Sequence, residues 1–288
     1  MKIFIVPNLR KPQAKEIATQ AAEILRQQGA QVLFREEDGV QLEISSQEIR
    51  SHQQAIEESD AIVTIGGDGT LLRIAREIQP ARKPLLGINL GRLGFLATCE
   101  PCEMQEKLSL LAKGEFISDS RMLLEARITN QGQIVDTLTA LNDIVLFKGI
   151  RTQTIGLQVF CDGISLSRYR GDGVVIATPT GSTAYSLSAG GAVVDAALQG
   201  ILLTPICAHG VQNPPMVFSA NRRLRICMES QSEEPIYVSA DGNHPAMEIQ
   251  PQSEVEVFCS SNTVILVQFS PTDQFEAIDK KLIRKTML

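Results

Sequence analysis

The segment Ala61-Ile62-Val63-Thr64-Ile65-Gly66-Gly67-Asp68-Gly69-Thr70 decides the fold of the first part of this 288-residue chain. Its first five residues are apolar or β-branched and predict a buried strand, while Thr70–Ile78 has the apolar spacing of a helix. The glycines between them permit backbone conformations that other residues avoid, and they let a ligand approach the chain closely. A turn that opens a helix also presents free N–H groups, which favour phosphate. We therefore predict that Gly66–Thr70 is a phosphate-handling turn.

Asp68 stands at the centre of this turn, where a carboxylate next to phosphates is electrostatically costly. The arrangement makes sense if the carboxylate takes the proton of a hydroxyl group or contacts a metal ion that offsets its charge. The turn is not a Walker A loop, because no Gly-Lys-Ser/Thr follows, and it is not a Rossmann fingerprint. We predict a kinase with Asp68 as its catalytic carboxylate, and the alternative is a tight turn of purely structural use.

The rest of the first 118 residues alternates strand and helix patterns. Further strands are predicted at Lys2–Val6, Gln31–Phe34 and Pro84–Ile88, and a helix at Pro12–Gln28 ends before Gly29. This rhythm is typical of a parallel sheet covered on both faces, so residues 1–118 are predicted to form an α/β domain.

From residue 119 onward, short apolar runs replace that rhythm and predict an antiparallel, β-rich domain over residues 119–268. The predicted strands are Leu123–Ile128, Leu141–Leu146, Thr154–Val159, Val174–Thr178, Arg222–Ile226, Ile236–Ser239, Glu254–Phe258 and Val264–Phe269. Residues 269–288 form a tail with a predicted amphipathic helix at Thr272–Thr286. Its basic residues are interpreted as a solvated face rather than a nucleic-acid site.

A second segment with the character of a binding site runs from Asp172 to Ser188. The apolar strand Val174–Ala177 leads into a turn rich in Ser, Thr and Gly, and a helix is predicted to start near Ser182. Small hydroxyl side chains can bond ribose, phosphate or amide groups without filling a pocket, and Tyr185 can lay its ring against a base or nicotinamide. Asn142-Asp143 can bind ribose hydroxyls or form an Asx turn, and Asp241–His244 is interpreted as a hairpin turn.

Composition excludes several classes of partner. The net charge of −6 and the absence of Trp argue against nucleic acid, since no basic stripe or stacking platform is present. No apolar stretch reaches the roughly 18 residues of a membrane span, and the N-terminus does not have the pattern of a signal peptide, so a cytoplasmic location is expected. The six cysteines are expected to be reduced, and Cys99–Cys102 lacks the partners of a zinc site, so no metal site is predicted in the protein itself.

In this order, these segments resemble the NAD kinase family over nearly the whole chain, from Ile5 to the C-terminal strands. The matching segments are Gly66–Thr70, Gly91–Leu96, Asn142-Asp143, Arg170–Gly191, Thr204–His209 and Asp241-Gly242. The resemblance implies an α/β N-terminal domain, an all-β, sandwich-like C-terminal domain with NAD bound between the two, and a tail that returns to the first domain. The Gly66–Thr70 turn alone also fits the wider group of diacylglycerol, sphingosine and 6-phosphofructokinases.

The resemblance further implies that Asp68 accepts the proton of the adenosine 2′-hydroxyl of NAD. ATP, another nucleoside triphosphate or polyphosphate would be the donor, with Mg²⁺ or another divalent metal, and the enzyme would be a homodimer or homotetramer. NAD contacts are implied at Asp68, Gly69, Arg73, Asn142, Asp143, Arg170, Asp172, Thr183, Ala184, Tyr185, Ser186, Leu187, Ser188 and Asn243. Contacts with the donor's phosphates are implied at Gly66, Gly67, Gly69 and Thr70.

Three departures from the family pattern are visible. Asp143 replaces the usual Glu, Ala192 replaces a common Pro, and Ala208 and Gly210 replace the usual residues around His209. None of them touches the predicted base. The alternatives are a lipid or sugar-phosphate kinase of the same wider group, and a dinucleotide sensor without turnover, for which an Asp among the glycines has little use.

Overall fold

The computed structural model describes residues 1–91, 94–149, 153–209, 213–228, 235–242, 246–250 and 252–283. The chain forms two compact units. Unit 1 comprises Met1–Ser120 together with Val264–Leu288, and unit 2 comprises Arg121–Thr263.

Unit 1 is built on a parallel sheet. Its strands are β1 (Lys2–Pro7), β2 (Gln31–Arg35), β3 (Ile49–Arg50), β4 (Ala61–Gly66) and β5 (Pro84–Asn89). They lie in the order β3-β2-β1-β4-β5, and neighbours are parallel. The connecting helices are α1 (Ala14–Gln27), α2 (Glu36–Leu42), α3 (His52–Glu58), α4 (Asp68–Glu77) and α5 (Met104–Lys113). Every residue of β4 is buried, as its continuous apolar sequence requires.

The predicted elements of this α/β unit are confirmed, with small changes at their ends. The strands β1, β2, β4 and β5 each extend one residue beyond the prediction. Helix α4 begins at Asp68, two residues earlier than predicted, so that the predicted base lies in its first turn. Helix α3 was not predicted, although Ser51 and Gln54 form a capping box at its start.

Unit 2 contains two sheets that face each other across a shared apolar core. The strands are β6 (Ile117–Asn130), β7 (Gln133–Ala140), β8 (Asp143–Lys148), β9 (Ile155–Cys161), β10 (Ile164–Gly171), β11 (Gly173–Ala177), β12 (Gly200–Ile206), β13 (Met216–Ser219), β14 (Arg223–Met228), β15 (Ile236–Ala240), β16 (Met247–Ile249) and β17 (Ser253–Gln268). One sheet has the order β13-β12-β11-β8-β15-β16, and the other contains β10-β9-β14-β17 with β6 and β7. Leu146 and Val174 of the first sheet pack with Leu224 and Val257 of the second. The β-rich prediction is confirmed.

Strand β17 corrects one prediction. Two strands, Glu254–Phe258 and Val264–Phe269, were predicted where the structure has a single strand of 16 residues. The polar run Ser260–Thr263 between the two predicted strands continues the same strand, and Ser260 is buried. The last part of β17 belongs to unit 1, where Ile265 and Leu266 pair in parallel with β5.

The C-terminal helix is shorter than predicted. Helix α7 spans Asp273–Ile278 and continues as a π-helical turn, Asp279–Ile283, while residues 284–288 lie outside the described part of the chain. No helix within the described residues is long and apolar enough to cross a membrane.

Candidate active site

A cavity of about 740 Å³ opens in unit 1 at the carboxyl ends of the parallel strands. Ligands of open α/β sheets bind at this edge, because the loops that follow the strands meet there. The cavity is lined by the segment after β1, the start of α2 and the Gly66–Thr70 turn: Pro7, Asn8, Leu9, Arg10, Lys11, Arg35, Glu37, Asp38, Gln41, Gly67, Asp68, Gly69, Thr70 and Arg73. The structure therefore brings the predicted phosphate residues together in one place, with Gly66 directly behind them.

The geometry of the turn leaves little room for a side chain at Gly66 and Gly67. A Cβ atom on Gly66 would lie 2.3 Å from the Thr70 hydroxyl, and one on Gly67 would lie 3.0 Å from Lys11 Nζ. The Thr70 N–H donates to the Gly67 carbonyl, whereas the N–H groups of Asp68 and Gly69 open the helix and have no earlier helical carbonyl to reach. The turn thus presents N–H groups and a helix N-terminus to the cavity, which suits an anion.

Four cationic side chains surround the same cavity, and three of them were missed in the sequence. Lys11 Nζ donates to the Gly66 carbonyl at 2.7 Å, and Arg10 beside it is exposed. Arg35 donates to the buried carboxylate of Asp38, with Nε and Oδ2 2.5 Å apart. Arg73, the fourth, pairs with Glu77 one helical turn further on. These charges make the cavity suitable for a polyphosphate.

The Asp68 carboxylate is held by the backbone of a second turn, which follows β5. Oδ2 accepts a hydrogen bond from the Phe95 N–H at 2.8 Å. Oδ1 accepts from the N–H groups of Leu96 at 3.2 Å and Ala97 at 2.9 Å. The predicted base therefore has a fixed orientation inside unit 1.

A metal ion has no ready-made protein cage in the part of the chain that is described. No group of three or more His, Cys, Asp or Glu side chains is positioned to hold an ion there. The donor set at the cavity, backbone N–H groups with Lys and Arg, fits phosphate oxygens rather than a bare cation. Mg²⁺ typically binds through substrate phosphates with only one or two carboxylates, and the residues present fit that mode.

In unit 2, Asn142-Asp143 lies at the start of β8, and its backbone is held by the carboxylate of Asp241. Asp241 accepts hydrogen bonds from the N–H groups of Leu141, Asn142 and Asp143, at 3.0, 2.7 and 3.2 Å. Asp241 and Gly242 are predicted as turn residues, and both take left-handed backbone angles after β15. The role of the Asp241 side chain was not predicted, because no sequence pattern gives a signal for it.

Asp143 is buried next to that charge. Burial, followed by the charge of the Asp241 carboxylate, raises the pKa of Asp143 to about 7, although a hydrogen bond from the Tyr185 N–H acts in the opposite direction. Asn142 differs, since its side-chain oxygen is buried and has no hydrogen-bond partner in the protein. A buried acceptor without a partner is rare and points to a ligand or a bound water.

The turn after β11 is more buried and more self-contained than expected. Thr178 bonds the Leu141 carbonyl, Ser182 bonds the backbone of Val194, and Ser186 bonds Thr204. The hydroxyls of Thr178, Ser182 and Ser186 are thus used inside unit 2 and are not free for a ligand. The predicted helix is a 3-10 turn, Thr180–Thr183, followed by the four-residue helix α6, Tyr185–Ser188.

Tyr185 lies near several of the other residues that are predicted to contact NAD in unit 2. Its side chain is 45% exposed, and burial raises the pKa of its hydroxyl, with further contributions from Cys207, Asp172 and Asp143. Asp172 forms an ion pair with Lys148 at 2.6 Å at the far end of β8, and Arg170 is exposed on β10.

The last predicted residues are neighbours of Tyr185 or lie outside the description. Thr183, Ala184 and Leu187 are partly exposed next to it and Ser188 is exposed, whereas Asn243 lies outside the described residues.

These two units define the class of protein. An α/β unit with a glycine-rich turn and a catalytic-type carboxylate in a cationic cavity, followed by a β-sandwich unit with a hydroxyl-rich turn, is the architecture of a two-domain nucleotide kinase. The model of the ATP-NAD kinase N-terminal domain matches residues 3–116, and that of the C-terminal domain matches residues 141–269. The chain belongs to the NAD kinase family.

Relatives and solved structures agree with this assignment. The NAD kinase of Geotalea daltonii is 33% identical over 281 residues, which cover 98% of both chains, and that of Moorella thermoacetica is 37% identical over 84% of this chain and 76% of its own. Yeast NADH kinase in complex with NADH has a TM-score of 0.85 and 26% identity, and covers 98% of this chain and 87% of its own. An NAD kinase from Archaeoglobus fulgidus in complex with ATP has a TM-score of 0.74 and 25% identity, with coverage of 97% and 98%.

Proposed function

We propose that this enzyme transfers the γ-phosphoryl group of ATP to the adenosine 2′-hydroxyl of NAD and thereby produces NADP. The observation that carries the proposal is the Asp68 carboxylate, which lies in a phosphate-type turn at the wall of a cavity lined with cations. Membership of the NAD kinase family gives the acceptor, because the turn by itself fits several kinds of kinase.

The donor's triphosphate is proposed to lie in the cavity of unit 1. The N–H groups of Asp68 and Gly69 and the side chains of Lys11 and Arg73 supply positive charge around its oxygens. Mg²⁺ or another divalent metal would enter with the phosphates and supply further charge neutralisation.

Asp68 is proposed to act as the general base. As the 2′-oxygen forms its bond to the γ-phosphorus, the bond from that phosphorus to the β,γ-bridging oxygen breaks, ADP leaves, and the hydroxyl proton passes to the Asp68 carboxylate. Most of the rate enhancement in such transfers comes from positioning and from stabilisation of charge.

Unit 2 is proposed to hold the acceptor dinucleotide. Asn142 offers an unpartnered oxygen, Tyr185 offers an exposed ring, and Asp143 beside them is a carboxyl group that can carry a proton near neutral pH. The remaining predicted contacts are Arg170, Asp172, Thr183, Ala184, Ser186, Leu187, Ser188 and Asn243. Of these, Ser186 is fully buried in unit 2, and its hydroxyl is paired with Thr204.

A direct assay tests the proposal. The purified protein is incubated with NAD or NADH, with ATP or polyphosphate, and with Mg²⁺, and the product is read with an NADP-specific dehydrogenase. We expect NADP to form. Binding of NAD without turnover would instead indicate a sensor, and phosphorylation of diacylglycerol or a sphingoid base would indicate a lipid kinase. A cytoplasmic location and a dimeric or tetrameric assembly also remain predictions.

A further inference from the structure

The three backbone N–H groups that hold Asp68 leave its carboxylate only partly available. An ionised carboxylate has about four acceptor sites, two on each oxygen. Oδ1 uses both of its sites, for Leu96 and Ala97, whereas Oδ2 uses one, for Phe95. The one acceptor site that these bonds leave is on Oδ2.

Gly94 is what allows this approach. A Cβ atom on Gly94 would lie 1.8 Å from Asp68 Oδ1 and 2.7 Å from Asp68 Cγ, and both distances are far below van der Waals contact. The requirement for glycine at this position is therefore one of space. Any side chain at this position must push the Asp68 carboxylate away.

The turn is itself anchored to the sheet. The Cys99 N–H donates to the Gly87 carbonyl at 3.1 Å, and the Asn89 N–H donates to the Cys99 carbonyl at 2.9 Å, so the end of the turn is bonded to β5. Ala97 lies against Gly87, where a Cβ atom would be 2.7 Å from it. Because β5 pairs with β4, the strand that leads into Asp68, the carboxylate and its three donors share one rigid support.

We propose that Gly94–Ala97 is a positioning device for the catalytic base, that Gly94 is its positioning residue, and that Oδ2 is the atom that receives the proton of the acceptor hydroxyl. This inference rests on the proposed function. It goes beyond it by assigning the orientation of the base to a second turn, whose contribution is made by backbone groups.

The test compares two glycine variants in the same loop. Gly94→Ala should lower kcat by about 10²-fold with KM for NAD and ATP changed less than about threefold, because a displacement of about 1 Å in a reacting group has an effect of this size. Gly91→Ala is the matched control, since a Cβ atom there meets no other described residue within 4 Å, and it should keep the wild-type kcat. Equal kcat in all three proteins would overturn the inference.

A double-mutant cycle separates positioning from a general loss of structure. If Gly94 acts through Asp68, then Gly94→Ala in an Asp68→Asn background should change the residual kcat by less than about twofold. A further loss as large as that in the wild-type background would show a separate effect and overturn the inference. A wild-type protein without kinase activity would instead refute the proposed function, so the two failures are distinguishable.

Asp68→Glu keeps the inference testable even if Gly94→Ala does not fold. The longer side chain retains the carboxylate, but the extra methylene group displaces it from the position in which it accepts the three N–H bonds. Its kcat should be as low as that of Asp68→Asn. Recovery to within tenfold of the wild type would show that a precise orientation is not needed, and would overturn the inference.

Discussion

The carboxylates of Asp68 and Asp241 accept the same pattern of hydrogen bonds but have different surroundings. Asp68 in unit 1 accepts three hydrogen bonds from the consecutive N–H groups of Phe95–Ala97. Asp241 in unit 2 accepts three from the consecutive N–H groups of Leu141–Asp143. In both cases a short segment of backbone is fixed to an aspartate that lies far away in the sequence.

The difference lies in what stands next to each carboxylate. Asp68 borders a cavity with four cationic side chains, and it is itself the group proposed to react. Asp241 has a second, buried carboxylate as its neighbour, and its charge helps to raise the pKa of Asp143. The same hydrogen-bonding arrangement therefore orients the proposed base in unit 1, whereas in unit 2 it fixes the backbone at the start of β8 and the charge of Asp241 favours a proton on Asp143.

The largest expected effect is on the reactive member of the pair. Asp68→Asn keeps the shape of the side chain but removes its basicity, so kcat should fall by about 10²–10⁴-fold. Steady-state kinetics with NAD and ATP measure it, with thermal unfolding as the check on folding. Near wild-type NADP production with unchanged KM values would contradict the role of Asp68 as base.

The second effect is on stability and concerns Asp241. Asp241→Ala leaves three partly buried N–H groups without an acceptor, so the free energy of unfolding should fall by about 3–5 kcal/mol. Urea unfolding monitored by circular dichroism measures it. Asp136→Ala is the control, since the Asp136 carboxylate accepts a single N–H bond on an exposed strand, and it should change the free energy of unfolding by less than about 1 kcal/mol.

The third prediction tests the proton on Asp143. Its pKa is near 7 in the folded protein and about 4 in an unfolded chain, so the folded state holds the proton more tightly. The stability contribution of Asp143 is then fully present below about pH 4 and is lost as the pH rises to about 7. Relative to the wild type, Asp143→Asn should therefore gain stability over this range, on the order of 4 kcal/mol at pH 8.

Thermal unfolding of both proteins at several pH values measures this gain. Asp241→Asn should reduce the pH trend of the wild type, because it removes the second cause of the raised pKa. A difference between Asp143→Asn and the wild type that is independent of pH would mean that Asp143 is ionised throughout.

The smallest effect is on KM, and it distinguishes a lysine of the cavity from a lysine elsewhere on the surface. Lys11→Met should raise KM for ATP about tenfold and leave KM for NAD unchanged, because Lys11 Nζ lies beside the turn proposed to bind the phosphates. Lys15→Met, an exposed residue on α1 outside the cavity, is the matched control and should leave both constants unchanged. A parallel rise of KM for both substrates would place Lys11 outside the donor site.

The sequence predicted the Gly66–Thr70 turn because strand, glycines and helix follow one another directly. It did not predict Arg10, Lys11 and Arg35, since the loops after β1 and β2 reach the cavity only through the strand order β2-β1-β4. A reader of the sequence would have needed the rule that loops after parallel strands meet at one edge.

The N–H groups that donate to Asp68 and Asp241 could not be predicted from the sequence for another reason. Backbone N–H groups are present at every non-proline residue, so Phe95–Ala97 and Leu141–Asp143 give no pattern of residue types. In the hydroxyl-rich turn, the residue types gave no indication of which hydroxyls have partners inside the protein. Ser182 and Ser186 are bonded inside unit 2, because a buried turn must satisfy its own polar groups.

The route of β17 also limits how this protein can be divided into pieces. Its last residues complete the sheet edge beside β5, although they follow the whole of unit 2 in the chain. A gene fragment that ends at Ser120 would encode the cavity but not this strand, and it would leave β5 as an open edge prone to association with other chains. Unit 1 is thus a single folded body that two separate stretches of the gene encode, and a recombinant version needs a linker from Ser120 to Val264.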